Sequence, residues 1–194
     1  MIDSTDLKLK IEPDHKRGNF LITIAIPTYN QPENLESLCL YLDKVIGPKT
    51  SVIILDNSSE KEIDFKKLSL NLKVSNFKFY RNKIHLNPWQ NLLKAAELCE
   101  TPWIYLLGDS KIPSKNTLQQ LEQDCLNHSD ASTIVYRFRN KISEGRYINK
   151  LSEIQNNNID IGDFLLLANS LISRSTFKKY LNIASEYNIS RIPH

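Results

Sequence analysis

The chain has 194 residues, 41% hydrophobic and 24% charged, a balance that suits a soluble globule and fills one domain with little to spare. Its 25 basic and 22 acidic residues leave a net charge of only +3, and the basic ones are scattered, which argues against a nucleic-acid partner. Residues 1–18 are polar and carry Pro13 and Gly18; they read as a loose arm or a short edge segment, with none of the apolar core of a secretory signal. From Phe20 the pattern alternates, giving a first strand over Leu21 to Ile26. Pro32 fits the first turn of a helix, where its missing N–H is harmless. Leu35, Leu38, Leu42 and Val45 then recur at helical spacing until Gly47-Pro48 stops them. A second strand over Ser51 to Leu55 completes a β-α-β unit, which requires a parallel pair.

Residues 60–76 are polar with scattered leucines and allow a short helix, and Phe77 to Tyr80 reads as a third strand. Asn87 can cap, and Pro88 can open, a helix whose inner face is Leu92, Leu93, Ala96 and Cys99. Trp103 to Leu107 is the fourth strand. Ser114 can cap a helix carrying Leu118, Leu121 and Cys125, and Thr133 to Phe138 forms a further strand. Residues 139–161 read as a long polar loop. Helical patterns over Asp163 to Ala168 and Thr176 to Tyr187 flank a short strand at Leu171-Ile172-Ser173. Alternating strands and helices predict an α/β fold, a mostly parallel sheet with helices on both faces.

The cysteines, Cys39, Cys99 and Cys125, are odd in number and lack metal-ligand spacing, so buried thiols in a reducing compartment are expected. No window approaches the roughly 18 apolar residues of a membrane helix. A cytoplasmic location follows, with peripheral contact at the inner face of a membrane left open.

Three strands end in polar groups rather than hairpin turns. The first runs into Pro27-Thr28-Tyr29-Asn30, the second into Asp56-Asn57-Ser58-Ser59, and the fourth into Gly108-Asp109-Ser110-Lys111. Ligands of open α/β sheets sit beyond the carboxyl ends of the strands, so these tips are expected to share one pocket. The competing explanation for Asp56-Asn57-Ser58 is an Asx-type turn. Tyr29 suits a core position equally well, and Asn91 suits an exposed helix position. His15, His85 and His128 have no ligand-spaced partners and read as surface residues.

The run Ile22 to Asn30 resembles the opening strand of family 2 glycosyltransferases of the GT-A fold. Val52 to Ser59 is similar to that family's second element, and Asn87-Pro88-Trp89-Gln90-Asn91 with Trp103 to Asp109 is similar to its third. The resemblance covers residues 20–115. It implies a GT-A (Rossmann-like) domain over residues 19–194, incomplete at its C-terminus, behind an N-terminal arm of residues 1–18. It further implies a nucleotide-diphosphate sugar donor, in the first place UDP-linked, and a glycan or lipid-linked acceptor. The implied nucleotide-binding residues are Pro27, Thr28, Tyr29, Asn30, Asp56, Asn57, Asn91, Gly108 and Asp109, with Asp56 accepting from a base N–H.

The family's fourth strand commonly ends Gly-Asp-Asp-Asp, whose outer acids hold Mn2+ or Mg2+ on the diphosphate. Here Asp109 keeps the first acid, the implied metal ligand, and Lys111 replaces the second. An ammonium has no lone pair and cannot ligate a metal. Three readings stay open: Lys111 lies against the diphosphate as the needed cation, the site is degenerate and the domain a non-catalytic nucleotide-binding or scaffolding module, or Lys111 faces solvent. For the proton of the attacking hydroxyl the candidates are Asp160, Asp163 and His194, and the catalytic set that the resemblance implies is Asp109, Lys111, Asp163 and His194. A dinucleotide-binding fold is disfavoured because no Gly-x-Gly-x-x-Gly follows the first strand. The sugar, the stereochemical outcome and the oligomeric state are not encoded in these motifs.

Overall fold

A computed structural model describes residues 7–11, 19–73, 76–137, 144–148 and 170–186. In chain order these form β1 (Leu7–Ile11), β2 (Ile22–Thr28), α1 (Pro32–Val45), β3 (Thr50–Asp56), α2 (Phe65–Asn71), β4 (Phe77–Asn82) and α3 (Pro88–Glu97). They continue with β5 (Trp103–Leu106), α4 (Lys115–Asn127), β6 (Thr133–Arg137), β7 (Glu144–Ile148), β8 (Ser170–Ser173) and α5 (Arg174–Glu186).

The strands make one eight-stranded sheet in the order β1-β4-β3-β2-β5-β8-β6-β7. Its centre, β4-β3-β2-β5, is parallel, and both flanks are antiparallel. The expected fold class is therefore present, with the parallel part confined to the middle of a mixed sheet. Leu7–Ile11 takes the edge-segment alternative, pairing with β4. The long polar loop expected over residues 139–161 is a correction: Glu144–Ile148 is a strand paired with β6. Backbone pairing along one edge suffices for such a strand, so it needs no apolar pattern to announce it. The helix expected over Asp163 to Ala168 lies outside the described residues.

Alternation along the strands builds two cores. Ile22, Ile24 and Ile26 of β2 join Val52 and Ile54 of β3, Phe77 and Phe79 of β4, and Trp103 and Tyr105 of β5 under α1, α2 and α4. The intervening Ala25, Ile53, Leu55, Tyr80, Ile104 and Leu106 face α3 and α5 instead. Every residue of β3 is buried, as a strand covered on both faces must be. All three cysteines are buried free thiols, and burial pushes the Cys39 thiol up to about 12 and those of Cys99 and Cys125 higher still.

Helix starts follow the residues that can satisfy orphan N–H groups. Pro32 is the first residue of α1. Asp64 accepts from Lys67 N and Ser114 from Thr117 N, and Asn87 and Gln90 form a reciprocal capping box. These caps fix where each helix leaves its strand.

The order β4-β3-β2-β5 contains a reversal. From β2 the chain steps outward to β3 and β4 through helices on one face. It then returns through α3 on the other face to β5, on the far side of β2. The reversal between β2 and β5 opens a crevice at their carboxyl ends, the usual ligand position in such sheets.

Candidate functional site at the carboxyl ends of the parallel strands

The first two expected tips meet through the sheet itself: Thr28 and Asp56 are opposite one another in the β2–β3 register. The third joins through a side chain, since Thr28 Oγ1 donates to Asp109 Oδ2 at 2.7 Å. Period-2 alternation puts Thr28 and Asp56 on the same side of the sheet as Ile26 and Ile54, the α1 side, and the bond from Thr28 draws Asp109, in the turn after β5, to it. Thr28 is buried and Asp109 is partly open. This bond spans the reversal between β2 and β5.

Asp56 is fully buried and already engaged. Its Oδ2 accepts from Arg81 Nε at 2.5 Å, and its Oδ1 accepts from Ser59 Oγ. Arg81 lies opposite Asp56 in the β3–β4 register and is itself buried. Its Nη1 reaches only the exposed Glu62 at 3.6 Å, a weak surface interaction. Its Nη2 is buried with no hydrogen-bond partner among the described residues. A buried donor left unmet costs roughly 1–3 kcal/mol, so this atom has room for an acceptor beyond the described residues.

The asparagines do different work. Alternation turns Asn57 and Asn82 to the α3 side, where Asn82 Nδ2 donates to Asn57 Oδ1 (3.1 Å) and to Asn91 Oδ1 (2.9 Å). Asn57 Oδ1 also accepts from Leu86 N at 2.9 Å, and its Nδ2 donates to Leu86 O at 2.8 Å. Asn91 is buried on α3, so the exposed-helix alternative does not apply. In this arrangement the three asparagines bind the β3 and β4 tips to α3 from behind the acidic face.

Two backbone positions at the tips are left-handed, Asn30 (φ 54°) and Ser58 (φ 59°). Such residues cost on the order of 1–3 kcal/mol and persist where neighbours over-determine them. Here Asn30 Oδ1 accepts from Glu60 N (2.8 Å) and Lys61 N (3.2 Å), while Asn30 N donates to Ser59 Oγ (2.8 Å). The β2 and β3 tips are thereby locked together. Between Thr28 and Asn30, Tyr29 is 39% exposed rather than core, and its ring lies 4.5 Å from that of His85.

After β5 the chain turns sharply: Lys111 N donates to Gly108 O at 3.1 Å. Gly108 has no positive φ, and a Cβ there would make only ordinary contact with the Lys111 side chain. The turn presents Asp109 to Thr28 and leaves Lys111 exposed. Toward a metal, the described residues at this tip offer one carboxylate, Asp109, whose Oδ2 accepts from Thr28, while Lys111 has no lone pair; any further ligands would be substrate phosphate oxygens and water. No cluster of three or more His, Cys, Asp or Glu suited to a metal is found among the described residues.

Of the expected site residues, Pro27, Thr28, Tyr29, Asn30, Asp56, Asn57, Asn91, Gly108, Asp109 and Lys111 all lie at this end of the sheet. Asp163 and His194 lie outside the described residues. Arg81 and Asn82 were missed by the sequence reading, which ended the strand at Tyr80. The signal was available, because Arg81-Asn82 is a fourth polar strand tip. His85 is exposed, as its surface reading expects, and its ring lies beside Tyr29 at this end of the sheet.

No protein-family model matches the chain, and no curated protein matches it. Solved structures do. One of S. aureus TarS 1-349 in complex with UDP superposes with a TM-score of 0.53 at 18% identity, covering 66% of this chain and 38% of that one. A complex of the same protein with UDP-GlcNAc gives 0.53 at 16% identity, covering 66% and 37%. A further structure of TarS 1-349 gives 0.53 at 15% identity and covers 78% of this chain and 56% of that one. The fold is accordingly of the GT-A type, and the chain spans less than two thirds of the length of these neighbours. No helix among the described residues is long and apolar enough to cross a membrane.

Proposed function

We propose that this domain binds a nucleotide-diphosphate sugar, UDP-linked in the first place, and transfers the sugar to a glycan or lipid-linked acceptor. The observation that carries the proposal is the convergence of Thr28, Asp56 and Asp109 at the β2/β5 reversal, closed by the 2.7 Å Thr28–Asp109 bond. UDP and UDP-GlcNAc are bound by the GT-A neighbour TarS, which supports the donor class. The motif resemblance carries the acceptor class and work at the cytoplasmic face of a membrane. The same resemblance supports reading residues 19–194 as one domain.

A uracil ring offers both a carbonyl acceptor and an N–H donor. The unmet Arg81 Nη2 suits the carbonyl. Asp56 orients that guanidinium through Nε, and its remaining lone pairs suit the ring N–H once Ser59 yields. Asp109, held by Thr28, faces the ribose–diphosphate end. Lys111, exposed on the same turn, supplies a point positive charge to the two phosphates and helps to stabilise the leaving diphosphate. The acceptor hydroxyl then attacks the anomeric carbon as the carbon–oxygen bond to the diphosphate breaks. Asp163 and His194 remain the candidates to take the hydroxyl proton.

Titration calorimetry with UDP, with and without Mn2+, tests this. Binding that needs no Mn2+, weakened about tenfold in Lys111→Ala, is the expected result, the loss corresponding to one charge-assisted contact of roughly 1.5 kcal/mol. Absence of UDP binding in either condition refutes the proposal. A second reading, a nucleotide-binding module without transfer activity, is favoured by Lys111 at the second acid position. Stoichiometric UDP binding with no turnover of any UDP-sugar, across a panel of sugars and glycan acceptors, would decide for it.

A further inference from the structure

We propose that His85 is a positioning residue for the nucleoside end of the donor pocket, holding the Tyr29 ring as a fixed stacking face for the base. The inference rests on the nucleotide-sugar reading above. Three bonds fasten the loop after β4 to the β3 tip. Leu86 N donates to Asn57 Oδ1, Asn57 Nδ2 donates to Leu86 O, and His85 Nδ1 lies 3.2 Å from Asn57 O. A carbonyl can only accept, so Nδ1 carries the proton in this contact, which orients the otherwise exposed imidazole. The ring so fixed lies against Tyr29, centroids 4.5 Å apart and planes tilted by 55°, a favoured aromatic geometry.

The backbone of Tyr29 is already immobilised from both sides. Thr28 is tied to Asp109, and Asn30 is tied to residues 59–61. The Tyr29 side chain is the part left to be ordered, and His85 is its aromatic partner. With 39% of the residue exposed, the ring has surface to offer a ligand. Stacking on an aromatic face tolerates any base, and a face ordered in advance avoids the loss of side-chain freedom on binding. Asn57, read from the sequence as a nucleotide contact, would then act through His85 and Leu86 by carrying the loop that carries the imidazole.

The experiment is UDP calorimetry on the full chain with His85→Ala, His85→Phe, Tyr29→Ala and the Tyr29→Ala/His85→Ala pair, each checked for an unchanged thermal transition. His85→Ala is expected to weaken UDP binding about three- to tenfold, the range of ordering one side chain. His85→Phe, which keeps a ring against Tyr29, should restore affinity to within about twofold. The double variant should bind no more weakly than Tyr29→Ala alone, because both changes remove the same stacking face. Unchanged affinity in His85→Ala, failure of His85→Phe to restore it, or additive losses in the double variant would each overturn the assignment while leaving UDP binding intact. A wild-type chain that binds no UDP removes the nucleotide reading itself, and this inference with it.

Discussion

The two ends of the same parallel strands are built on opposite principles. Near the amino ends of β2, β3 and β5 the hydroxyls of Thr23, Ser51 and Thr101 close on one another. Thr101 Oγ1 donates to Trp103 O at 2.8 Å, so its proton is committed, and Thr23 Oγ1, 2.7 Å away, must donate to Thr101. Ser51 Oγ, 2.8 Å from Thr23 Oγ1, then supplies its proton to Thr23. Each of these hydroxyls has a partner, and the chain of O–H donors runs one way with nothing left for a ligand. At the carboxyl ends the groups are charged, two residues are left-handed, and Arg81 Nη2 is buried without a partner among the described residues. A closed polar network stabilises a core, whereas an incompletely satisfied one is tolerated where a ligand completes it. The contrast marks the carboxyl ends as those with an interaction left to make among the described residues.

Substitutions at the two ends should separate stability from binding. The largest effect is expected from Asp56→Ala. It leaves the Arg81 guanidinium buried without its carboxylate, and removing one partner of a buried pair costs about 3–5 kcal/mol. Urea unfolding should show that loss, together with abolished UDP binding; a change below about 1 kcal/mol would mean that the pair is solvated. At the other end, Thr23→Val breaks the hydroxyl chain and should cost about 1–2 kcal/mol while UDP affinity stays at the wild-type value. Altered affinity there would erase the distinction between the ends.

The smallest effect per group belongs to the thiols, which lie in the two cores rather than at either strand end. Burial raises Cys39 to about 12 and the other two further, whereas an unfolded thiol titrates near 8.5. The folded state therefore keeps protons that the unfolded chain releases. The associated stability is complete below about pH 8.5 and is lost progressively as pH climbs toward the folded values. Thermal unfolding at pH 9.5 against pH 7.5 should register on the order of 1 kcal/mol per thiol. A transition unmoved by that change would show the thiols to be accessible.

Much of the site was legible because its logic is local. A buried strand that ends in Thr, Asp or Asn rather than in a hairpin turn advertises a ligand end, and Thr28, Asp56 and Asp109 were found that way. Arg81 obeyed the same rule one strand over, but two polar residues after Phe77 to Tyr80 look like the start of a loop until the β3–β4 register sets Arg81 opposite Asp56 and a side-chain bond joins Asn82 to Asn57. His85 carried no signal at all. Its role depends on Asn57 holding the loop and on Tyr29 lying beside it, residues separated from it by 28 and 56 positions.

Period-2 strands, helical stripes, Pro32 and Pro88 at helix starts, and the caps at Asn87 and Ser114 follow from the sequence alone, because each depends on residues within a few positions of one another. Only the tertiary structure decided which polar tips face which side of the sheet, that Asn57 braces while Thr28 and Asp109 meet, and that one nitrogen of Arg81 finds no partner among the described residues. Those outcomes depend on strand order and register, which are set by the packing of two cores across the whole chain and are encoded in no single stretch of it.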